Sequence, residues 1–252
     1  PYGQQTILGS VDHLKTPSLS KMKQFYDKYY VPNNMSLILA GDFDKRSVKK
    51  MIKNKFSRLK KGAPIEKINV QEDDFNGREV VDLSITPYRI GRLCYRTVEP
   101  NHKDAVVLDL ISSIFSNSSR TGLLDKLNNE NKILGSSATT GLGGTDHGGF
   151  AFGFVPKDDS QSFDEAENLI LEEIKKVKSG DFSDDLIQSV KLSMSMDHET
   201  RMESVDGRTW LIMSTILDNM PWEDVKNYPN RVNAVTKDDV IKVAKKYFTD
   251  NY

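Results

Sequence analysis

Residues 25–44 read FYDKYYVPNNMSLILAGDFD, and this stretch decides the interpretation of the fold. Phe25 and Tyr29 share one face of a helix at i, i+4 spacing. The Pro-Asn-Asn sequence at 32–34 favours a turn, because proline ends a helix and asparagine accepts turn geometry. Residues 35–40 carry no charge and are mostly apolar, which is typical of a strand covered on both faces. The stretch therefore predicts a helix, a turn and a buried strand.

Helices flank this strand on both sides. The first is predicted to begin at residues 16–18, where a hydroxyl can cap the helix and proline lies in the first turn. The second is predicted to begin after Asp44, a carboxylate N-cap. A Gly-Ala-Pro sequence then breaks the second helix. We therefore expect a first unit at residues 1–64, followed by a linker at 65–78 that shows little periodicity.

The rest of the chain, residues 79–252, predicts a complete α+β unit. Alternating apolar and polar residues indicate strands, and a glycine-rich hairpin at 141–149 joins the last two of them. The strands are followed by several amphipathic helices, so the sheet is expected to have helices on one side. The predicted strands are 79–85, 90–98, 134–142 and 150–155, and the predicted helices begin near residues 104, 123, 163, 183, 210 and 236.

Composition excludes several classes of protein. Lys and Arg number 35 against 36 Asp and Glu, so no overall basic charge points to nucleic acid as a partner. The basic residues between 45 and 61 are interpreted as a solvated helix face. No apolar run approaches the ~20 residues of a membrane span. The one cysteine, Cys94, is expected to be a buried and inert thiol.

The sequence YYVPNNMSLILAGDFD at 29–44 resembles a passage of the zinc metallopeptidases of the pitrilysin/insulinase type, the inverzincins, which include the mitochondrial processing peptidase. Weaker echoes are SRTGLLDKL at 119–127 and VTKDDV at 235–240. The resemblance implies a LuxS/mitochondrial-processing-peptidase-like metallohydrolase fold. It assigns 1–64 to the end of a first, catalytic α+β domain and 79–252 to a complete second, non-catalytic α+β domain.

The zinc motif of that family, H-x-x-E-H, is absent from this chain. Its four histidines are too far apart in sequence for two of them to lie on one helix face as ligands. The opening Pro-Tyr-Gly resembles the residues that follow the catalytic part in the family. We therefore expect a fragment of a zinc metalloendopeptidase, with zinc in the parent enzyme and none bound by this chain. No catalytic and no metal-binding residues are predicted, and the chain alone is expected to be inactive.

One candidate substrate-binding segment remains. The resemblance to insulin-degrading enzymes implies a distal anchoring site for the substrate's N-terminus at the start of a helix. The matching residues here are Asn117, Ser118, Ser119, Arg120, Thr121 and Gly122. Backbone amides at that helix start could receive a carboxylate or phosphate, and a peptide could add to the neighbouring strand edge. The alternative is an ordinary polar turn before a helix.

Other clusters are interpreted structurally. Adjacent acid pairs at 73–74, 158–159, 184–185 and 238–239 suit helix capping or solvation, because neighbouring residues do not share a helix face. The glycine-rich 141–149 segment lacks a following Gly-Lys-Ser/Thr, so it is not a phosphate loop. The family's substrate-holding arginine and tyrosine are not found around Asn128, which places that pair in a partner half or subunit.

Two functions from different classes remain open at this stage. The first is a peptidase fragment whose second domain helps to enclose a peptide or unfolded polypeptide substrate. The second is a catalytically inactive assembly subunit, related to the core proteins of processing peptidases. Self-association through residues 1–64 is expected if the strand at 35–40 lacks neighbours. The compartment stays open between the bacterial periplasm and cytoplasm.

Overall fold

The computed structural model describes residues 8–66, 75–84, 86–144 and 146–252. The chain divides into two compact units, Pro1–Glu72 and Asp73–Tyr252. Among the described residues, no helix combines the length and hydropathy that crossing a bilayer requires.

The first unit is helical where it has regular structure. Its helices are α1 Val11–Lys15, α2 Leu19–Tyr29 and α3 Lys45–Phe56, with a 3₁₀ turn at Pro32–Asn34. The side chains of Ser18 and Asp44 accept hydrogen bonds from the third residue of α2 and α3 respectively. Asp44 is the predicted cap, whereas Pro17 precedes α2 and does not lie in its first turn. The Asn33 side chain bonds the backbone at Gly62 and Ala63, so the turn is tied to the end of the unit.

The buried strand predicted at residues 35–40 is not formed. These residues carry no regular structure, and the side chains of Met35, Leu37 and Leu39 are 58%, 57% and 47% exposed. A strand needs a neighbour to complete its hydrogen-bond ladder, and residues 8–66 contain no other strand that could provide one. The prediction of a buried strand is therefore wrong, and the stretch is an exposed apolar segment.

The second unit is α+β, as predicted. A three-stranded antiparallel sheet has β3 at its centre, between β1 and β2. Helices pack against one face of this sheet. The elements are β1 Gly91–Thr97, α4 Ala105–Phe115, α5 Leu123–Asn129, β2 Gly135–Gly143, β3 Gly148–Val155, α6 Phe163–Ser179, α7 Asp184–Glu203, α8 Val205–Leu217, α9 Trp222–Lys226, α10 Tyr228–Ala234 and α11 Lys237–Tyr247.

The strand predicted at 79–85 is also absent as far as the structure describes it. Residues 79–84 are exposed and irregular, and position 85 lies outside the described residues. The segment is held by single contacts instead of a ladder. Arg78 forms a two-pronged ion pair with Glu167, and the Glu79 amide donates to the carbonyl of Tyr252. The alternation of apolar residues here does not reflect a sheet.

Aromatic rings fill the space between the sheet and the helices. Phe152 on β3 contacts Phe115 of α4 edge-on, with ring centroids 4.8 Å apart. Phe248, which caps the end of α11, lies 4.9 Å from Phe150 and 5.1 Å from Tyr95. These offset and edge-to-face contacts add specificity to the burial of large rings. The core therefore fixes α4 against the sheet, which positions the segment that follows α4.

Cys94 is exposed, so the expected buried thiol is wrong. It lies on β1 between Leu93 and Tyr95, which are both buried, and successive strand residues point to opposite faces. Cys94 therefore lies on the face away from the helices. Partial burial still raises the pKa of its thiol above the ordinary value, with Arg92 acting in the opposite sense.

Helix boundaries in this unit follow local chemistry. Ser162 and Thr236 form capping boxes with Glu165 and Asp239, and Gly180 ends α6 with φ 79°. Donors from Thr236 lower the pKa of the Asp239 carboxyl. The acid pairs at 184–185 and 238–239 lie in first helical turns, as expected. Asp158 instead holds a turn by accepting from Ser160.

Candidate functional site

The predicted segment 117–122 lies between the end of α4 and the start of α5. One buried carboxylate holds both of its ends: Asp125 Oδ2 accepts the backbone N–H of Asn117 and of Gly122, each at 3.0 Å. Asp125 is only 7% exposed. Gly122 is required at its position, because a Cβ there would collide with the backbone carbonyl of Phe115. Asp125, in the first turn of α5, therefore ties the two ends of the segment together and closes it into a loop.

Asn117 supports the same loop from inside. Its Oδ1 accepts from both the N–H and the hydroxyl of Thr121 at 3.2 Å, and its Nδ2 donates to the carbonyl of Ser113 at 3.0 Å. Arg120 has φ 55°, a left-handed conformation that is uncommon outside glycine. The carbonyl of Arg120 accepts from Asn129 at 3.4 Å. The loop thus has one defined backbone path.

These contacts change the expected chemistry of the segment. The N–H groups of Asn117, Arg120, Thr121 and Gly122 already donate within the protein. The Asp125 carboxylate occupies the first turn of α5, where an incoming anion would otherwise bind. Four of the six loop amides are therefore already paired and a carboxylate lies beside them, which disfavours the expected binding of a carboxylate or phosphate.

The outer surface of the same loop lines a cavity of about 220 Å³. Asn117, Ser118, Ser119 and Thr121 are brought together in its wall, whereas Arg120 and Gly122 do not line it. We call this space the serine cavity, because its walls also contain Ser113, Ser116, Ser189 and Ser193. Hydroxyl groups both donate and accept hydrogen bonds, so the lining suits neutral polar groups such as peptide amides.

The lining residues that were not predicted from the sequence include three polar residues of α7. Ser189, Ser193 and Asp197 come from α7, far along the chain from the loop. Their spacing of four residues places them on one face of α7. That regular polar stripe along α7 was the available signal. Which distant loop it would meet depends on the tertiary fold.

A second cavity of about 390 Å³ adjoins the first, and the two share Ser113, Met194 and Asp197. We call it the α4–α7 cavity. Asp109 of α4, His198 of α7 and Tyr228 of α10 contribute to its wall. The Tyr228 hydroxyl lies 3.4 Å from Asp109 Oδ2, and the Tyr228 ring stacks on His198 with centroids 5.2 Å apart. This cluster was not predicted from the sequence.

Burial sets the protonation of the groups in the α4–α7 cavity. It raises the pKa of Asp109 to about 6, with Tyr228 and Arg231 acting in the opposite sense. Burial also lowers the pKa of His198 and raises that of Tyr228. At neutral pH the site therefore holds an ionised carboxylate, a neutral imidazole and a protonated phenol.

The histidines do not form a metal centre in the described part of the chain. No cluster of three or more His, Cys, Asp or Glu side chains there has the arrangement of a metal site. His198 contacts the Tyr228 ring, and His102 lies 3.8 Å from Asp104. The absence of zinc from this chain stays a prediction.

β2 contacts α4 and α5, the two helices that flank the loop. Within the described sheet β2 pairs only with β3. Side chains occupy part of the other edge: Ser112 Oγ donates to the Ala138 carbonyl at 3.1 Å, and Asn128 Nδ2 donates to the Ser136 carbonyl at 3.4 Å. An added peptide strand would share this edge with those side chains.

Comparison with known proteins identifies the family. The family model described as the peptidase M16 inactive domain matches residues 18–194. The zinc protease PqqE of Helicobacter pylori is 22% identical over 251 residues, covering 97% of this chain and 56% of that protein. The chain therefore spans about half the length of that curated relative.

Solved structures show the same fold. A protease from Helicobacter pylori matches with a TM-score of 0.87 at 21% identity, covering 97% of this chain and 60% of that one. The periplasmic protease PqqL of Escherichia coli matches with a TM-score of 0.73 at 20% identity, covering 97% and 28%. With a family model that matches most of its length, this chain belongs to the M16 peptidase family, as a protein of its inactive-domain type.

Proposed function

We propose that this chain is the non-catalytic part of a zinc metallopeptidase and that it helps to enclose a peptide substrate. Residues 1–64 would be the end of a catalytic domain, 65–78 a linker and 79–252 the second domain. Zinc and its ligands would come from the remainder of the parent protein, and this chain alone would neither bind zinc nor cleave peptides. Zinc-activated water would carry out the hydrolysis in the parent.

The family match carries this proposal. The matched model describes an inactive domain, and the relative that aligns over 97% of the chain is named a zinc protease. That relative is longer than this chain, which leaves room for a catalytic domain. A partner half of the same family would complete the chamber. The periplasm or cytoplasm of a bacterium is the proposed compartment, and one structural neighbour is a periplasmic protease.

The serine cavity is the proposed contact with substrate. Asn117, Ser118, Ser119 and Thr121 would donate to and accept from the peptide backbone, while Arg120 and Gly122 set the path of the loop. The adjoining edge of β2 would add main-chain hydrogen bonds. Neutral hydroxyl groups recognise backbone amides without selecting a sequence, which suits an enzyme that cuts varied peptides.

The experiment uses the complete gene product that contains this chain. We expect stoichiometric zinc by elemental analysis and zinc-dependent cleavage of a fluorogenic peptide. Ser193→Phe fills the serine cavity and is expected to raise KM severalfold with little change in kcat. Gln188→Phe is the matched control, because Gln188 is exposed on the same helix and does not line the cavity.

Two results would contradict the proposal in different ways. A complete protein with no zinc and no cleavage would favour the alternative, an inactive structural subunit. Equal KM values for Ser193→Phe and Gln188→Phe, with zinc-dependent cleavage intact, would remove only the serine cavity from the substrate path.

A further inference from the structure

The lining of the α4–α7 cavity is partly polar and partly apolar. Met194, Leu211, Met220 and Val225 form the apolar part, and none of them is highly exposed. Asp109 forms the polar part together with the hydroxyl groups of Ser113 and Thr140. At about 390 Å³ the cavity is large enough for one long side chain. A ligand here would combine an aliphatic stem with a polar head.

The charge of the lining decides the sign of that head. Asp109 and Asp197 contribute two negative charges, Arg201 contributes one positive charge, and His198 is neutral at pH 7 because burial lowers its pKa. The net charge is therefore −1. Arg201 and Asp197 are both exposed, whereas Asp109 is partly buried, so the deepest charge of the lining is negative.

Asp109 is incompletely paired in the protein. Its hydrogen bond from Tyr228 is long at 3.4 Å and reaches only Oδ2. Arg231 also acts electrostatically on Asp109, but its guanidinium pairs with another residue: Arg231 Nη1 lies 4.0 Å from Asp224 Oδ2. An ionised carboxylate in a partly dry site is costly unless a donor or cation meets it. Asp109 thus has the capacity to bind a positively charged hydrogen-bond donor.

We propose that the α4–α7 cavity binds a lysine or arginine side chain of a polypeptide, with Asp109 as the counter-ion of its cationic head. The aliphatic stem would pack on Met194 and Leu211, and the hydroxyl groups of Ser113 and Thr140 would accept the remaining N–H donors. The inference rests on the proposed function, since a peptide in the serine cavity could extend one side chain past Ser113 into this space.

The test measures binding to the full 252-residue chain by NMR or by fluorescence of its two tryptophans, Trp210 and Trp222. The probe is an N-acetylated, C-amidated serine-rich hexapeptide with one central lysine. A peptide with norleucine at that position keeps the stem and removes the charge. A second norleucine peptide, with a free N-terminus, distinguishes binding of a lysine side chain from binding of a terminal ammonium group.

We expect the lysine peptide to bind at least tenfold more tightly than either norleucine peptide. Asp109→Asn should remove that preference, and Asp159→Asn, an exposed acid outside both cavities, should keep it. In the wild type, binding should weaken about tenfold between pH 7.5 and pH 5, because Asp109 becomes protonated below about 6. Protonation of His198 acts in the same direction. The other charged groups around Asp109 are Asp197, Arg201 and Arg231.

The outcomes separate the two proposals. Equal binding of lysine and norleucine peptides, or a lysine preference that survives Asp109→Asn, would overturn this inference. In that case peptide-induced shifts at Ser118 and Thr121 would still support the serine cavity as a substrate contact. Tighter binding of the norleucine peptide with the free N-terminus would assign the cavity to a terminal ammonium group and overturn the side-chain assignment. The pH dependence in the wild type needs no variant, so a folding defect would not hide the result.

Discussion

The buried carboxylate of Asp125 makes a quantitative prediction about the loop at 117–122. Its Oδ2 receives two backbone N–H groups at 3.0 Å, one from each end of the loop. Asp125→Ala removes the acceptor and leaves both amides without it, and the Gly122 amide is buried. A buried donor left unpaired costs about 1–3 kcal/mol. We therefore expect a loss of roughly 2–5 kcal/mol in the free energy of unfolding.

Urea denaturation followed by tryptophan fluorescence would measure this loss, because Trp210 and Trp222 both lie in the second unit. Asp125→Asn retains one oxygen acceptor and removes the charge, so it should cost about half as much as Asp125→Ala. Hydrogen exchange at the Asn117 and Gly122 amides should accelerate in both variants, which localises the effect to the loop.

The control is Asp159→Ala, which removes an exposed carboxylate without a hydrogen bond to the described residues and should stay within about 0.5 kcal/mol of wild type. A loss of less than about 1 kcal/mol for Asp125→Ala, at an unchanged dependence on urea, would contradict this prediction. Wild-type protection of the two loop amides in that variant would contradict it as well. Either result would mean that the loop is held by other contacts.

Three further predictions follow from the structure. Gly122→Ala should destabilise the second unit by about 1–3 kcal/mol through the clash with the Phe115 carbonyl, whereas Gly144→Ala, which meets open space, should be neutral in thermal unfolding. Asp109→Asn should raise the free energy of unfolding at pH 7–8 by up to about 3 kcal/mol. The pKa of Asp109 is raised from 3.8 to about 6 in the folded state, so ionisation of this group lowers the stability of the wild type as the pH rises between those values. A variant whose stability depends on pH as the wild type's does would contradict this prediction. The exposed apolar residues of 35–40 should drive self-association of the first unit. Sedimentation should therefore show oligomers for the wild type and none for the Leu37→Lys, Leu39→Lys double variant. A wild type that is strictly monomeric at high concentration would exclude this.

Elements fixed by short-range contacts were predictable from the sequence. At each of four caps, the side-chain oxygen accepts a hydrogen bond from the backbone N–H three residues later; these caps are Ser18, Asp44, Ser162 and Thr236. The glycine that ends α6 needs only its own left-handed conformation. Because all the atoms of such a signal lie within one helical turn, the amino-acid pattern specifies it without knowledge of the fold.

Strand formation depends on a partner that the local sequence does not contain. Residues 35–40 and 79–84 have the composition of strands, yet neither joins a ladder within the described residues. Their apolar residues remain exposed instead. The exposure of Cys94 also depends on strand pairing, because a shift of one residue in the register exchanges the buried and exposed faces of a strand. The short helices α9 and α10 were not predicted; Pro221 is the N-cap of α9 and Pro229 lies in the first turn of α10, where proline is favoured.

The candidate site depends partly on the local sequence and partly on distant residues that the fold brings to it. The sequence located the loop correctly as a polar turn before a helix, and the rule that helix starts carry free amides then suggested an anion. Asp125 was visible three residues after Gly122, and it satisfies that amide as a capping residue should. Its second bond, to Asn117 eight residues away, depends on the loop conformation. The stripe Ser189, Ser193 and Asp197 completes the cavity from a distant helix.

In the proposed function, the side chains that the fold assembles around the loop contact the substrate, and the backbone amides of the loop do not. The serine cavity offers neutral hydroxyl groups, and the adjoining α4–α7 cavity offers one deep negative charge on Asp109. A ligand that uses both needs polar backbone groups and one basic side chain a short distance apart. An extended peptide provides that combination, because its amides repeat along the chain while alternate side chains point to one side. An isolated anion provides neither.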